Sequence, residues 1–259
     1  MTTMPLSVTA ASHAHAHGHG DEHGHNHPHV HVPETPMPPP STETVVLEQE
    51  ILAKNDQAAG RNRQWLADRG IVAVNLMSSP GSGKTTLLAR TIHELSRYDD
   101  TRRIAVVEGD QETVLDAQRI RDAGAPVVQI NTGAGCHLDA DMLQRGLEGL
   151  DPDPQALLFI ENVGNLVCPA LFDLGEAARV VVISVTEGDD KPLKYPHMFA
   201  AADIVVVNKS DLLPYVDFDV ASCLANARRI NPQVPGLVVS AKTGAGLGDW
   251  CRWLLALKT

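Results

Sequence analysis

Cysteine is scarce in this chain, with four residues in 259 and no framework spacing among them. That argues against a disulfide scaffold and fits a reducing compartment. No apolar stretch approaches membrane-spanning length, and the N-terminus has no basic region followed by an apolar run. Neither a span nor a secretory leader is therefore expected. Positive charge is in deficit, 21 Lys and Arg against 32 Asp and Glu, a formal net charge of −11 with histidine neutral. A general nucleic-acid-binding role is disfavoured on that ground. These absences together lead us to expect a soluble cytoplasmic protein. Large apolar side chains are nearly missing from residues 1–40, which instead contain nine of the twelve histidines and seven prolines. Such a segment cannot bury enough surface to offset the entropy of ordering it. The expected organisation is a disordered tail over 1–40 and one folded α/β domain over 41–259.

What the tail does contain is periodic. His13, His15, His17 and His19 alternate with small residues, and His23, His25, His27, His29 and His31 repeat the pattern after Asp21 and Glu22. This is low complexity of the metal-binding kind, unlike the uninterrupted run of a tag. Flexible imidazoles can supply several ligands to Ni²⁺, Zn²⁺ or Cu²⁺ without preorganising a site, so a low-selectivity metal buffer is expected. "PETPMPPPST" then reads as a stiff linker.

From Thr44 to Asp68 the pattern becomes helical, with Leu47, Ile51, Ala58 and Trp65 at heptad-like spacing and Gly70 as a stop. Beyond it come seven short apolar runs, "VAVNLMSS", "IAVVEGD", "VVQIN", "ALLFIEN", "VVVISVT", "IVVVNK" and "LVVSA", separated by helical segments. A closing helix runs through "LGDWCRWLLALK". Runs this apolar predict a mostly parallel twisted sheet covered on both faces by helices.

The first run leads into Ser78-Ser79-Pro80-Gly81-Ser82-Gly83-Lys84-Thr85-Thr86, a phosphate-binding loop of the GxxxxGK[ST] type with Ser78 in place of the first glycine. Gly81 and Gly83 let the backbone wrap a phosphate chain with its N–H groups inward. Lys84 would reach the β- and γ-phosphates, and Thr85 would hold Mg²⁺. Base choice is legible further on, in Asn208-Lys209-Ser210-Asp211 at the end of a strand. A carboxylate at Asp211 can accept from guanine N1–H and its exocyclic amine together, which adenine cannot match. Ser240-Ala241-Lys242 follows as the loop that backs the base. In this order the motifs specify GTP and GDP. Asp110 and Glu161 end two other strands at the carboxyl edge, where ligands bind. Glu161 could hold Mg²⁺ through water, and Gly164 could present its amide to the γ-phosphate. Asp110 is a candidate for Mg²⁺ contact or for orienting the attacking water, with a plain strand-end carboxylate as the alternative for either acid. No sufficient base stands out, so slow intrinsic hydrolysis is expected. One further pair, Cys136 and His137, sets two metal-capable side chains next to each other but does not complete a site.

The combination of "SSPGSGKTTLL", "EGDQETVLDAQRI", "GCHLDA", "ENVGNLVCPA", "EGDDKPLKYP" and "NKSDLLP" resembles the HypB hydrogenase-maturation GTPases over about residues 44–257. The resemblance implies a SIMIBI-class P-loop GTPase that dimerises with nucleotide at the interface and assists nickel insertion into [NiFe]-hydrogenase. Its implied partners are other maturation proteins and the hydrogenase large subunit. It implies Cys136, His137 and Cys168 as ligands for Ni²⁺ or Zn²⁺. Three ligands fall short of the usual four, so a two-fold dimer completing a shared site is the expectation. It also matches Lys194, in "DDKPLKYP", to a lysine of nucleotide-dependent dimerisation; a solvated surface lysine is the alternative. Some relatives begin with a cysteine motif that binds nickel tightly. This chain has no cysteine before Cys136, so that property is not carried over. Cys223, Cys251, His93 and His197 read as packing or surface residues. A urease-type nickel GTPase is the nearest rival, although Cys168-Pro169 is followed here by Ala170 rather than histidine. A metal-storage protein on a degenerate GTPase scaffold is the rival of another class.

Overall fold

The computed structural model describes residues 42–98, 102–110, 114–133, 135 and 137–258, the side chains of 42–48, 110 and 114 excepted. The tail histidines and Cys136 lie outside the described residues. Seven strands form one sheet: β1 (Val72–Ser78), β2 (Ile104–Asp110), β3 (Val127–Asn131), β4 (Leu157–Gly164), β5 (Ala178–Ser184), β6 (Ile204–Asn208) and β7 (Gly236–Val238). Their order is β3-β2-β4-β1-β5-β6-β7, and every pairing is parallel. The helices are α1 (Thr42–Asp68), α2 (Lys84–Leu95), α3 (Val114–Asp122), α4 (Ala140–Leu150), α5 (Lys191–Lys194), α6 (Pro196–Ala200), α7 (Val220–Ile230) and α8 (Leu247–Ala256). Among the described residues no helix is long and apolar enough to cross a membrane.

Alternation along each strand divides its side chains between two layers. Val72, Val74 and Leu76 of β1, with Val106 of β2 and Phe159 of β4, pack against α2, α3 and α8. Ala73, Val107, Leu158 and Ile160 point the other way, onto Leu66 of α1 and Leu143 and Leu147 of α4. Toward the β6 side that second layer is built from Val181, Ile183, Val205 and Val207 against Met198, Phe199 and Cys223. Both faces are covered, which is why the strands read as unbroken apolar runs. Burial, then the negative charges of Asp189 and Glu187, push the Cys223 thiol up to about 12. Burial and the charge of Glu94 push Cys251 up to about 11, so both stay protonated packing residues.

The buried line of α1 differs from the expected heptad. Ile51 is 47% exposed, and Trp65 is half-buried beneath the Arg69 guanidinium, 3.9 Å from the ring centroid. The residues that face the protein are Asn55, Ala58, Ala59, Asn62 and Leu66. Two asparagines hold the place of the large apolar residues because their side chains bond backbone groups of two distant segments, not because they are apolar.

Candidate functional site

β1 ends in the phosphate loop, and α2 begins at Lys84 with Gly83 as its N-cap at φ 91°. Only glycine adopts that left-handed conformation without strain, and it turns the first amides of α2 toward the cavity. Ser78, at the position where a glycine is usual, is fully buried and hydrogen-bonds on three sides. Its Oγ donates to Ser79 O (2.6 Å) and accepts from Ser82 Oγ (2.7 Å) and Lys84 Nζ (2.8 Å). The serine thus holds the loop closed and steadies the ammonium that would meet phosphate. A cavity of about 530 Å³ opens above it, lined by Pro80 to Thr86, Glu108, Gly109, Asp116, Arg119, Glu161 to Gly164 and Lys209.

Glu161 lies two residues beyond Phe159 on β4, on the same side of the sheet, and accepts a 2.6 Å hydrogen bond from Thr85 Oγ1. Glu108, which sequence reasoning missed, is the neighbour of Glu161 in the β2–β4 register and is only 2% exposed. The available signal was an acid two residues before Asp110 inside an otherwise apolar strand. Asp110 ends β2, but its side chain lies outside the description. Hydroxyl and carboxylate oxygens gathered beside a phosphate loop are hard donors of the kind Mg²⁺ takes. Gly164 approaches the loop so closely that a Cβ there would stand 2.9 Å from Pro80 Cα. The end of β4 therefore rides directly on the phosphate loop.

A second cavity, of about 220 Å³, is lined by Gly83, Thr86, Asn208, Lys209, Asp211, Leu212, Ala241 and Lys242. Asn208 joins the two regions, donating to Ser82 O (3.0 Å) and accepting from the Ala241 amide (3.1 Å). Lys209, at φ 60°, donates to Gly81 O (2.7 Å). Ser240 Oγ donates to Asp211 Oδ1 (2.6 Å) and orients the carboxylate that would read the base. Of the sequence-expected nucleotide residues from Gly81 to Lys242, those of the phosphate loop, Gly164, Asn208, Lys209, Asp211, Ala241 and Lys242 line the two cavities, Ser240 is buried behind Asp211, and Lys194 lies apart. That lysine is exposed and paired with Asp190 (2.7 Å) on the loop after β5. The same loop is tied to the phosphate loop by Ser79 Oγ donating to Glu187.

On the opposite face, Asp139 caps α4 by accepting from Met142 N (2.7 Å), which fixes the approach of residues 137–139. Leu138 packs onto Gly109 so tightly that a Cβ would lie 2.5 Å from its Cγ. His137 packs against Phe172 in a tilted arrangement, ring centroids 3.9 Å apart at 31°, a partner that no sequence pattern signals. Burial holds the imidazole below its ordinary pKa, with the Asp139 carboxylate opposing, so the neutral ring is favoured near pH 7. Cys168 is half-buried and opens a short 3₁₀ turn, Cys168–Ala170, four residues beyond the end of β4. Among the described residues no three His, Cys, Asp or Glu side chains gather closely enough to hold a metal ion, and Cys136 lies outside them. His93 and His197 are exposed.

Comparison with known proteins follows the same lines. Residues 72–237 match the family model described as CobW/HypB/UreG, nucleotide-binding domain. The hydrogenase maturation factor HypB of Rhizobium leguminosarum bv. viciae is 57% identical over 215 residues, spanning 83% of this chain and 71% of the relative. The crystal structure of HypB from Helicobacter pylori in complex with nickel superposes with a TM-score of 0.71 at 40% identity, covering 78% of this chain and 94% of that one. HypB from Archaeoglobus fulgidus gives a TM-score of 0.72 at 44% identity over 78% and 98% of the two chains. With the phosphate loop, the parallel sheet and these likenesses in agreement, the chain belongs to the CobW/HypB/UreG family of nucleotide-binding proteins, among the HypB-type hydrogenase maturation factors.

Proposed function

We propose that this protein hydrolyses GTP and uses the cycle to deliver nickel to a [NiFe]-hydrogenase precursor, acting as a GTP-dependent homodimer. One observation carries the reading. Glu161 and Asn162 are neighbours at the end of β4 and point to opposite faces of the sheet. Glu161 faces the nucleotide cleft and takes the Thr85 hydroxyl. Asn162, 1% exposed, turns toward the histidine loop, where its Oδ1 accepts from Leu138 N (3.2 Å) and from Val163 N (3.0 Å). A shift of this strand end therefore reaches both His137 and, through residues 164–168, Cys168.

In the nucleotide cleft Lys84 and the loop amides would bind the β- and γ-phosphates, and Asp211 with the Ser240–Lys242 loop would select guanine. Thr85 and Glu161 would hold Mg²⁺, with Asp110 and Glu108 as further carboxylates within the same strand ends. The ion would supply charge neutralisation on the phosphates. The acid that orients water is taken from Asp110 and Glu108. Cys136, His137 and Cys168 form the half-site for the cargo, Ni²⁺, with Zn²⁺ satisfying the same donors. A second copy related by two-fold symmetry supplies the missing coordination, and Lys194 contributes to that interface. The histidines between His13 and His31 act as a nickel store. Maturation proteins and the hydrogenase large subunit are the receiving partners, in the cytoplasm.

Replacing Cys168 with alanine is expected to weaken Ni²⁺ at least 10-fold at the thiolate site, while GTP and GDP affinities stay within two-fold. The thiolate-to-nickel absorption band reads this site without interference from tail imidazoles, and nucleotide titration reads the other. Loss of nucleotide binding together with nickel would place Cys168 in the wrong role.

A further inference from the structure

Helix α1 precedes the matched domain, which begins at residue 72, and neither phosphate nor guanine chemistry gives it a task. Its buried face nevertheless carries Asn55 and Asn62, seven residues apart and so on one side of the helix, exposed by only 7% and 1%. Buried amides are costly unless they are fully bonded. Here each divides its bonds between the same two segments. Asn55 Oδ1 accepts from Ala140 N (2.9 Å), and its Nδ2 donates to Asp173 O (2.8 Å). Asn62 Nδ2 donates to Ala140 O (2.8 Å) and to Leu174 O (3.1 Å). Ala140 comes three residues after His137, and Asp173 comes five after Cys168.

Other contacts repeat this division. Arg61 pairs with Asp141 (3.1 Å) and Arg63 with Asp173 (2.6 Å), although exposed pairs of this kind contribute little. A Cβ on Gly175 would lie 2.5 Å from Ala59 O, so the second segment runs in backbone contact with the helix. Between the two segments the rings of His137 and Phe172 pack against each other, tilted by 31°. A leucine at each asparagine position could bury the helix as well. It could not fix the separation and register of two loop backbones, which directional hydrogen bonds do.

We infer that α1 is a positioning element of the metal half-site, with Asn55 and Asn62 setting the spacing between the segment that carries His137 and the segment that carries Cys168. The inference rests on the ligand assignment made above. It treats the two asparagines as supports of the ligand segments, neither of them touching the metal.

The test uses the full chain and Ni²⁺ as probe, read through the thiolate-to-nickel absorption band in competition with a chelator. Asn62→Ala removes both of that residue's ties. Asn55→Asp keeps the acceptor for Ala140 N and sets a carboxylate against Asp173 O, so only the bridge to the second segment is lost. Each variant should bind nickel about 10-fold more weakly, in line with the loss of supporting hydrogen bonds behind metal ligands. Guanine-nucleotide affinity should stay within two-fold, and Gln64→Ala, on the exposed side of α1, should change neither. If Asn62→Ala does not fold, Asn55→Asp decides alone. Unchanged nickel affinity in a folded variant overturns the role given to α1, as does a parallel fall in nucleotide affinity. Absence of the band in the unaltered protein, or an unchanged nickel affinity in Cys168→Ala, overturns the ligand assignment instead.

Discussion

Exchange of Asp211 for asparagine is expected to lower GTP affinity roughly 10⁴-fold, the scale on which a site built to bond particular donors rejects a mismatched partner. Guanine presents two donors, N1–H and the exocyclic amine, to a carboxylate whose orientation is fixed by Ser240 Oγ at 2.6 Å. An amide in that place offers one acceptor and one donor, so a donor meets a donor inside a closed pocket. Xanthine has a carbonyl where guanine has the amine, and the asparagine variant should bind xanthosine triphosphate in preference. Competition against a fluorescent guanine nucleotide measures both changes. A variant that keeps GTP within 10-fold of the original affinity contradicts this account of base choice.

Gly83→Ala is expected to disable phosphate and guanine recognition together. The residue sits at φ 91°, where an L side chain costs about 1–2 kcal/mol. Its Cβ would also stand 2.8 Å from Asn208 Nδ2, the atom that donates to Ser82 O. Asn208 must then move, and with it the support for the Ala241 amide. Nucleotide affinity should fall at least 100-fold, or about 2.7 kcal/mol, while circular dichroism stays unchanged. Gly81→Ala is the informative contrast. It is strained at φ 73° but has nothing within 4 Å of the added methyl, so its loss should be much smaller. Equal effects of the two substitutions would show that strain alone, and not the contact with Asn208, governs the site.

The sheet was legible because its strands are buried on both faces, so seven apolar runs with little polar interruption mark seven strands. The residues that line the two cavities were legible because tight loops at strand ends need particular residues at fixed spacing. Helix α1 was legible as a helix but not in its facing. Hydrophobic spacing selected Ile51 and Trp65, whereas the buried residues include Asn55 and Asn62, whose partners are backbone groups more than seventy residues away in sequence. The same reason hides Asn75 and Asn162. Asn162 Nδ2 reaches Asn75 Oδ1 at 3.4 Å, and Asn75 in turn donates to Glu176 (3.2 Å), which takes Arg179 Nε (2.6 Å). Burial works against charge on Arg179, yet Glu176 and then Asp173 and Asp203 raise its pKa and keep it ionised. A polar line through a core carries no periodicity, and only the fold brings its members together. Glu108 was overlooked for a simpler reason, that Asp110 beside it matched the expected strand-end position.

The central claim is that nucleotide state and metal affinity are linked through the end of β4. It is tested most directly by titrating Ni²⁺ into the full chain with GDP and with a non-hydrolysable GTP analogue, reading the thiolate-to-nickel band. Sedimentation of the same samples, and of Lys194→Ala, reports the oligomeric state. The account predicts nickel bound at least 5-fold more tightly with the analogue, a coupling of about 1 kcal/mol, together with a dimer that Lys194→Ala weakens. Equal nickel affinities in the two nucleotide states would contradict it.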